Sequence, residues 1–195
     1  MMDNQVGKIW NAIEYRKKHF NEDWIIFITT DHGRDEATGK GHYGQTPRQR
    51  NTWIVTNYPD LNNYARFYHP AIVDIMPTIA RFMNINIPTE KAREIDGTPL
   101  IGKVSVTDIR LNHFQDNLDI SWKALSGGGR AKIWVATTNN FKEGKPDQYK
   151  LMAEVPVNKE HIVLNVGKEK SDFYKVVIEA PHNTANKWFV EKEEK

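Results

Sequence analysis

The sequence predicts an α/β segment over residues 1–102, followed by an all-β sandwich over residues 103–195. The first part combines a helical apolar pattern with short continuous apolar runs, which is typical of helices and buried strands in α/β proteins. From Val104 onward the apolar period changes to two, which is typical of half-buried strands. Between the two patterns lies a linker, indicated by Pro88, Gly97, Pro99 and Gly102. We therefore expect the two parts to separate with few contacts between them.

The composition excludes several classes of function. In 195 residues, Lys and Arg number 27 and Asp and Glu number 25, so the chain lacks the basic excess that binding to a nucleic-acid backbone requires. The apolar runs are far shorter than the roughly 20 residues of a membrane span. Cysteine is absent, so any metal must be held by histidine and carboxylate. The amino terminus has no signal-peptide pattern, which predicts either a cytoplasmic protein or a missing beginning.

Four elements are predicted in the α/β segment. An apolar stripe at helical spacing predicts a helix over residues 3–19. The apolar run over residues 24–28 predicts a central strand that is covered on both faces, and residues 53–57 predict a second buried strand. A second helical pattern begins after Asp74, which is a plausible N-cap. The apolar positions of the two helices are Val6, Ile9, Trp10 and Ile13, then Ile75, Ile79, Phe82 and Met83.

Seven short alternating strands are predicted in the second part. Trp122 alternates with apolar neighbours and is predicted to lie in the core. Trp134 has the opposite parity to Ile133 and Val135, so it is either a covered aromatic on the second face or an exposed platform for a sugar or a partner protein. The predicted strands centre on Val104–Val106, Leu118–Trp122, Ile133–Val135, Leu151–Val155, Ile162–Val166, Tyr174–Ile178 and Trp188–Val190.

The loop after the first predicted strand carries the residues with the clearest chemistry. Asp31 and His32 are adjacent and are followed by Gly33, and His42 lies between two glycines in the same loop. A carboxylate and two imidazoles suit zinc or another hard to borderline divalent metal. The alternative is that Asp31 caps a local turn and both histidines are ordinary loop residues. Three arginines are candidates to bind an anionic ester, with ordinary surface charge as the alternative: Arg34, Arg48 and Arg50.

These loop motifs also carry a family resemblance. Thr30-Asp31-His32-Gly33-Arg34 and Gly41-His42-Tyr43-Gly44 resemble the late metal-binding segments of the alkaline phosphatase superfamily, which includes type I phosphodiesterases, nucleotide pyrophosphatases and sulfatase-like hydrolases. Residues 69–79, 87–88 and 95–100 are similar to the closing helix and the Asp-Gly segment of those catalytic domains. The resemblance implies that residues 1–102 are the carboxyl-terminal portion of an alkaline-phosphatase-like α/β/α domain.

What the resemblance implies is a metal-dependent hydrolase of small phosphate or sulfate esters. In two-metal members, Asp31 and His32 would bind the metal that also holds the nucleophile, and His42 would bind the other metal. In sulfatase-like members, the Asp-His pair serves a single metal. The implied metal is zinc, with calcium or manganese as alternatives. The interval between Asp31 and His42 is shorter than is usual in the nucleotide pyrophosphatases.

The family's catalytic domains carry further residues that this sequence does not show ahead of Val6. These are a first Asp ligand, the Thr or Ser nucleophile and an Asp-xxx-His pair. We therefore expect the chain to be the carboxyl-terminal fragment of a longer exported enzyme, either periplasmic or at the cell surface. No catalytic nucleophile is placed, and the chain alone is expected to be inactive. We also expect the truncated sheet to expose an edge that promotes self-association.

Residues 104–190 resemble a fibronectin type III or immunoglobulin-like sandwich. The resemblance rests on Leu118-x-Ile120-x-Trp122 and Tyr174-x-Val176-x-Ile178. The whole chain also resembles phosphatase-like proteins of Bacteroidetes that end in a small β domain. Two other hypotheses remain: a glycan- or protein-binding module centred on the sandwich, or a fragment that docks onto another chain supplying the missing half. The metal-binding loop favours the enzyme family.

Overall fold

The chain combines helices with several antiparallel sheets. The computed structural model describes residues 2–41, 44–168 and 170–191. The chain divides into two compact units, Met1–Pro59 and Asp60–Lys195. The boundary predicted from the sequence at residues 102/103 stays a prediction. Within the described ranges, no helix is both long enough and apolar enough to cross a membrane.

The first unit consists of a long helix, a short helix and two short strands. Helix α1 spans Met2–Phe20, as the helical spacing predicts, and its last turn is basic, which complements the negative end of the helix dipole. Strand β1 is Phe27–Thr29, helix α2 is Pro47–Arg50 and strand β2 is Ile54–Thr56. The two strands are antiparallel and pair Phe27 with Thr56. Asn57 extends the pairing, because its Oδ1 accepts a hydrogen bond from the Ile26 N–H at 2.8 Å.

The predicted central strand over residues 24–28 is wrong. The strand that forms, β1, is three residues long, belongs to a two-stranded sheet and is only half-buried. The second strand is likewise not buried, since Val55 is 55 % exposed and Trp53 is 51 % exposed. An apolar run becomes a central strand only when strands flank it and layers cover both faces. In the described part of this unit, each strand has one strand neighbour, so each keeps one edge unpaired.

The second unit begins with a helical segment. Helix α3 is Asn63–Phe67, a 3₁₀ turn spans Ile72–Asp74, helix α4 is Ile75–Phe82 and helix α5 is Thr89–Ala92. The predicted helix after Asp74 is therefore confirmed. The predicted capping role of the Asp74 side chain is wrong, because its carboxylate makes no hydrogen bond to α4.

The Asp74 carboxylate is buried and faces away from the start of α4. It accepts hydrogen bonds from the Ala71 N–H at 2.7 Å, from the Thr98 N–H at 2.6 Å and from the Tyr64 hydroxyl at 2.9 Å. Burial raises the pKa of Asp74 despite these three donors. The side chain thus joins three segments of the helical part, which explains why it does not cap the helix that follows it.

Seven antiparallel strands form a sandwich. They fall into a three-stranded sheet with the order β3-β4-β7 and a four-stranded sheet with the order β6-β5-β8-β9. Alternation along the strands buries one face of each sheet in a shared core. Six of the seven predicted strands are present, and the first is displaced, because the strand predicted around Val104–Val106 begins only at Val106 and continues to Phe114. The strands are β3 Val106–Phe114, β4 Asn117–Ala124, β5 Arg130–Ala136, β6 Lys150–Pro156, β7 His161–Asn165, β8 Phe173–Glu179 and β9 Thr184–Val190.

Trp122 lies at the centre of this core, as predicted. It is 2 % exposed, and its Nε1–H donates to the Val157 carbonyl at 2.8 Å. The other fully buried side chains of the core come from strands of both sheets and from the residues that follow β6 and β7: Val106, Leu118, Ile120, Ala131, Ile133, Val157, Val166, Tyr174, Val176 and Ile178. The sandwich therefore has a continuous apolar core that includes a hydrogen-bonded indole.

The helical segment of the second unit is bound to the sandwich. Arg93 donates to Glu179 at 2.8 Å, and Lys175 donates to Glu94 at 2.5 Å. Both contacts join residues before position 102 to strand β8. The expectation of few contacts across the linker is therefore wrong. Sequence punctuation by glycine and proline marks irregular backbone, but it does not show whether that backbone packs on a neighbouring sheet.

Candidate functional site

Two of the predicted metal ligands lie just after strand β1, at the start of a loop. The strand ends at Thr29, and Asp31 and His32 follow almost at once. The Asp31 Oδ1 accepts a hydrogen bond from the His32 backbone N–H at 2.9 Å. The Asp31 side chain is 85 % exposed and the His32 side chain 34 % exposed. Asp31 therefore makes the local turn that the alternative interpretation expects, while its other oxygen stays accessible.

The His32 ring has an oxygen atom next to each of its nitrogens. Its Nδ1 lies 2.6 Å from the Gly33 carbonyl oxygen, and its Nε2 lies 3.3 Å from the Asp31 Oδ2. Because a carbonyl oxygen only accepts, Nδ1 carries the proton of the first contact. Nε2 then carries the lone pair of the ring and faces a carboxylate oxygen, so a cation between these two atoms would have two ligands.

The separation of these two atoms fits a metal centre. Two ligands at adjacent tetrahedral positions, each about 2.0–2.1 Å from zinc, lie about 3.3 Å apart. The Asp31 Oδ2 and the His32 Nε2 have this separation. The contact from Nδ1 to a backbone carbonyl is also the usual outer support of a metal-bound histidine. Asp31 and His32 therefore suit one divalent cation as a pair.

The third predicted ligand, His42, lies outside the described residues. Among the residues that the structure does describe, no group of three or more His, Cys, Asp or Glu side chains is arranged to hold a metal ion. The described site thus consists of two donors.

Gly33 anchors the base of the loop. Its N–H donates to the Gln49 carbonyl at 2.8 Å, and a Cβ added to it would lie 1.9 Å from the Arg48 carbonyl oxygen. This approach to α2 is open only to glycine. Gln49 itself is buried, and Thr46 and Gln49 form a reciprocal capping box at the start of the helix. The residue that follows His32 is therefore held against a capped helix.

The part of the loop farther from the strand is held by Asp35. Its Oδ1 accepts hydrogen bonds from Thr38 and Ala37, and its N–H donates to the Gly41 carbonyl at 2.7 Å. The pKa of Asp35 is lowered by the hydrogen bonds from Thr38 and further by the charge of Arg48. The loop thus has its own hydrogen-bonded frame.

The three predicted anion-binding arginines are all exposed. Arg34 donates to the Lys40 carbonyl at 3.2 Å, and Arg48 and Arg50 belong to α2. Arg34 and Arg48 therefore lie in the part of the chain that frames the metal-ligand pair. Their role toward a substrate stays a prediction.

Trp134, the predicted second-face aromatic, is covered. The guanidinium carbon of Arg93 lies 3.8 Å from the centre of its ring. The interpretation as a covered aromatic is confirmed, and the exposed platform is wrong. Sequence reasoning did not find Arg93, because a contact between residues so far apart leaves no local pattern.

No family model, curated protein or solved structure matches this chain. The resemblance to the alkaline phosphatase superfamily therefore rests on the sequence motifs alone.

Proposed function

We propose that this chain is the carboxyl-terminal part of a metal-dependent hydrolase of phosphoric or sulfuric esters. In this proposal, residues 1–102 belong to an alkaline-phosphatase-like catalytic domain and residues 103–195 are an accessory sandwich. The observation that carries it is the Asp31–His32 pair, whose facing acceptor atoms lie 3.3 Å apart. The nucleophile and the remaining ligands would come from a segment outside this chain.

Each residue of the loop has a defined part in this proposal. Asp31 and His32 hold one metal, and His42 adds a further ligand. The Gly33 carbonyl accepts the Nδ1–H of the imidazole, so Nε2 is the nitrogen that would bind the metal. A bound divalent cation would stabilise negative charge on the ester oxygens and activate the nucleophile. Arg34 and Arg48, both exposed, add positive charge that attracts an anionic ester.

The strand order supports a fibronectin type III or immunoglobulin-like sandwich. Strand β4 pairs with β7, and β5 pairs with β8, so each sheet contains neighbours that are distant in sequence. Such crossovers between two antiparallel sheets are typical of Greek-key sandwiches. A glycan-binding role through Trp134 is not favoured, because Arg93 already covers that ring.

The metal part of the proposal is tested by calorimetric titration with zinc. We expect weak binding by the unchanged protein and at least a tenfold loss in His32→Ala, which removes one ligand, and in Asp31→Asn, which removes the negative charge of the other. The matched control is His161→Ala, because His161 and Asp119 form another exposed pair, with Nε2 and Oδ1 3.0 Å apart. An equal loss in the control, or no loss in His32→Ala, would contradict the proposed centre.

The activity part is tested separately. We expect turnover of aryl phosphates, phosphodiesters and aryl sulfates by this chain to be no faster than by the His32→Ala variant. Robust turnover that this substitution abolishes would show that the chain carries its own nucleophile. That result would support the hydrolase and overturn the fragment.

A further inference from the structure

The second unit contains a cavity of about 510 Å³ that the proposed hydrolase does not use. It lies between the helical segment around α4 and α5 and the turn that joins β8 to β9. Its volume is in the range of small-molecule sites. Its wall is mixed, with slightly more polar than apolar surface, and the apolar part includes Pro77, Ala80, Ile85, Ile87, Ala92 and Ile95.

Arg81 is the unusual charged residue of this wall. Its Nη1 donates to the carbonyls of Ile101 at 2.8 Å and Lys103 at 2.7 Å, and its Nη2 donates to the carbonyl of His182 at 2.6 Å. In the described ranges, no carboxylate lies within ion-pair distance of it. Arg81 is therefore a half-buried cation whose partners are neutral.

The acidic residue of the same wall is already neutralised. Glu179 accepts from Arg93 at 2.8 Å and lies 3.7 Å from the Lys132 ammonium group. The positive charge of Arg81 is therefore left without a counter-charge at the cavity. An unpaired charge that is partly removed from water is unfavourable, and an anion that pairs with it gains from the same low-dielectric surroundings.

The guanidinium of Arg81 also has hydrogen-bonding capacity left. An arginine carries five N–H donors, and three of those of Arg81 are used by the carbonyls. Within the part of the chain that the structure describes, the Nε–H and one Nη2–H have no acceptor. Two donors on neighbouring nitrogens match the two oxygens of a carboxylate. One uncompensated cation suits one negative charge, and the apolar wall suits a hydrocarbon or aromatic body.

We infer that this cavity binds a small organic monocarboxylate with an apolar body, whose carboxylate pairs with Arg81. The inference does not depend on the hydrolase proposal, because the cavity and the metal-binding loop belong to different units. Inorganic phosphate would leave the apolar wall unused. A ligand with both parts uses the apolar part of the wall as well as the cation.

The inference is tested by NMR titration of the full chain with benzoate, with acetate and benzyl alcohol as matched probes. Acetate carries the charge without the body, and benzyl alcohol carries the body without the charge. We expect benzoate to bind at least tenfold more tightly than either and to shift the Arg81 Nε–H signal. Equal affinity for benzoate and acetate, or no change at Arg81, would overturn the inference.

Two variants and a control complete the test. Arg81→Gln keeps amide donors for the carbonyls but removes the charge, and we expect at least a tenfold loss of benzoate affinity. Ala92→Leu narrows the cavity without touching Arg81, and we expect the same loss, so this variant decides the matter if Arg81→Gln does not fold. Arg66→Gln is the control, because Arg66 is exposed and donates to the Leu61 carbonyl. Retained affinity in Ala92→Leu, or an equal loss in Arg66→Gln, would contradict the inference.

Discussion

The guanidinium of Arg93 lies over the indole of Trp134, 3.8 Å from the ring centre. The same guanidinium donates to Glu179 on the neighbouring strand at 2.8 Å. Trp134 lies on the face of the four-stranded sheet opposite the core, so a residue from the helical segment covers that face. The stacked cation contributes about 0.5–2 kcal/mol in such a partly desolvated setting. The aromatic surface that a sugar would use is therefore occupied by the chain itself.

Lys175 on strand β8 pairs with a carboxylate of the helical segment. Its side chain is 11 % exposed, and its ammonium group lies 2.5 Å from Glu94 and 3.8 Å from Asp147. Lys175→Met leaves both carboxylates without this cation, and we expect a loss of about 2–3 kcal/mol in the free energy of unfolding. Lys132→Met, at a side chain that is 45 % exposed, should cost less than about 1 kcal/mol. Urea denaturation measures both, and equal losses would contradict the prediction.

The same contact predicts a dependence on pH. Burial raises the pKa of Glu94, but hydrogen bonds from Lys175 and Tyr149 and the charge of Lys175 lower it by more, so it lies below the ordinary 4.5. Its stabilising contribution is therefore present above that value and is lost as the pH falls through the folded-state pKa. We expect the stability difference between the unchanged protein and Glu94→Gln to shrink between about pH 6 and about pH 3. Urea denaturation at both pH values measures it, with Glu90→Gln, an exposed change in α5, as the control. A constant difference would contradict this sign.

Trp122 offers a test of the sandwich core. Trp122→Phe removes the hydrogen bond to the Val157 carbonyl and leaves that buried oxygen without its donor. With the volume lost, we expect a cost of about 2–3 kcal/mol in the free energy of unfolding. Trp188→Phe, at a residue that is 49 % exposed, should change it by less than about 0.5 kcal/mol. Chemical denaturation compares the two, and similar costs would show that the indole hydrogen bond is unimportant.

Replacing two glycines of the first unit by alanine is predicted to change the free energy of unfolding in opposite directions. Gly33→Ala places a Cβ 1.9 Å from the Arg48 carbonyl oxygen, so the loop must move away from α2. We expect a loss of more than about 2 kcal/mol and faster hydrogen exchange at β1 and β2. Gly7→Ala, within α1 and with open space around it, should stabilise the helix by about 0.5–1 kcal/mol. Exchange rates that rise equally in both variants would contradict this explanation.

What the sequence predicted well was local in origin. Six of the seven strands of the sandwich follow from a period of two, and α1 follows from apolar residues on one helical face. The run over residues 24–28 does not form the predicted central strand. Its apolar residues are as typical of a buried central strand as of the short, half-buried strand that forms. The residues of the run do not indicate which strands will pair with it. Only pairing with residues far along the chain decides whether it is flanked on both sides.

In the candidate sites, too, local features were predictable from the sequence and long-range contacts were not. Asp31 and His32 are neighbours in sequence, so their proximity was predictable, whereas the orientation of the imidazole depends on the Gly33 carbonyl. Arg81 carried no sequence signal, since its partners are backbone carbonyls 20 and 101 residues further along the chain, at Ile101 and His182. A charge without a counter-charge is visible only when the distances to all acidic groups are known.

The Asn186 amide of strand β9 donates hydrogen bonds to the carbonyls of Arg93 and Ile95, so it joins the helical segment to the sandwich. This connection affects where recombination between genes can divide the protein without loss of stability. A crossover that separates residues 60–102 from the strands would leave Trp134 and Lys175 without their cover. Descendants of such an event would have to recruit a new covering peptide or replace both side chains. A crossover near Pro59 would keep the sandwich together with the helical stretch that precedes it, because both belong to one compact unit.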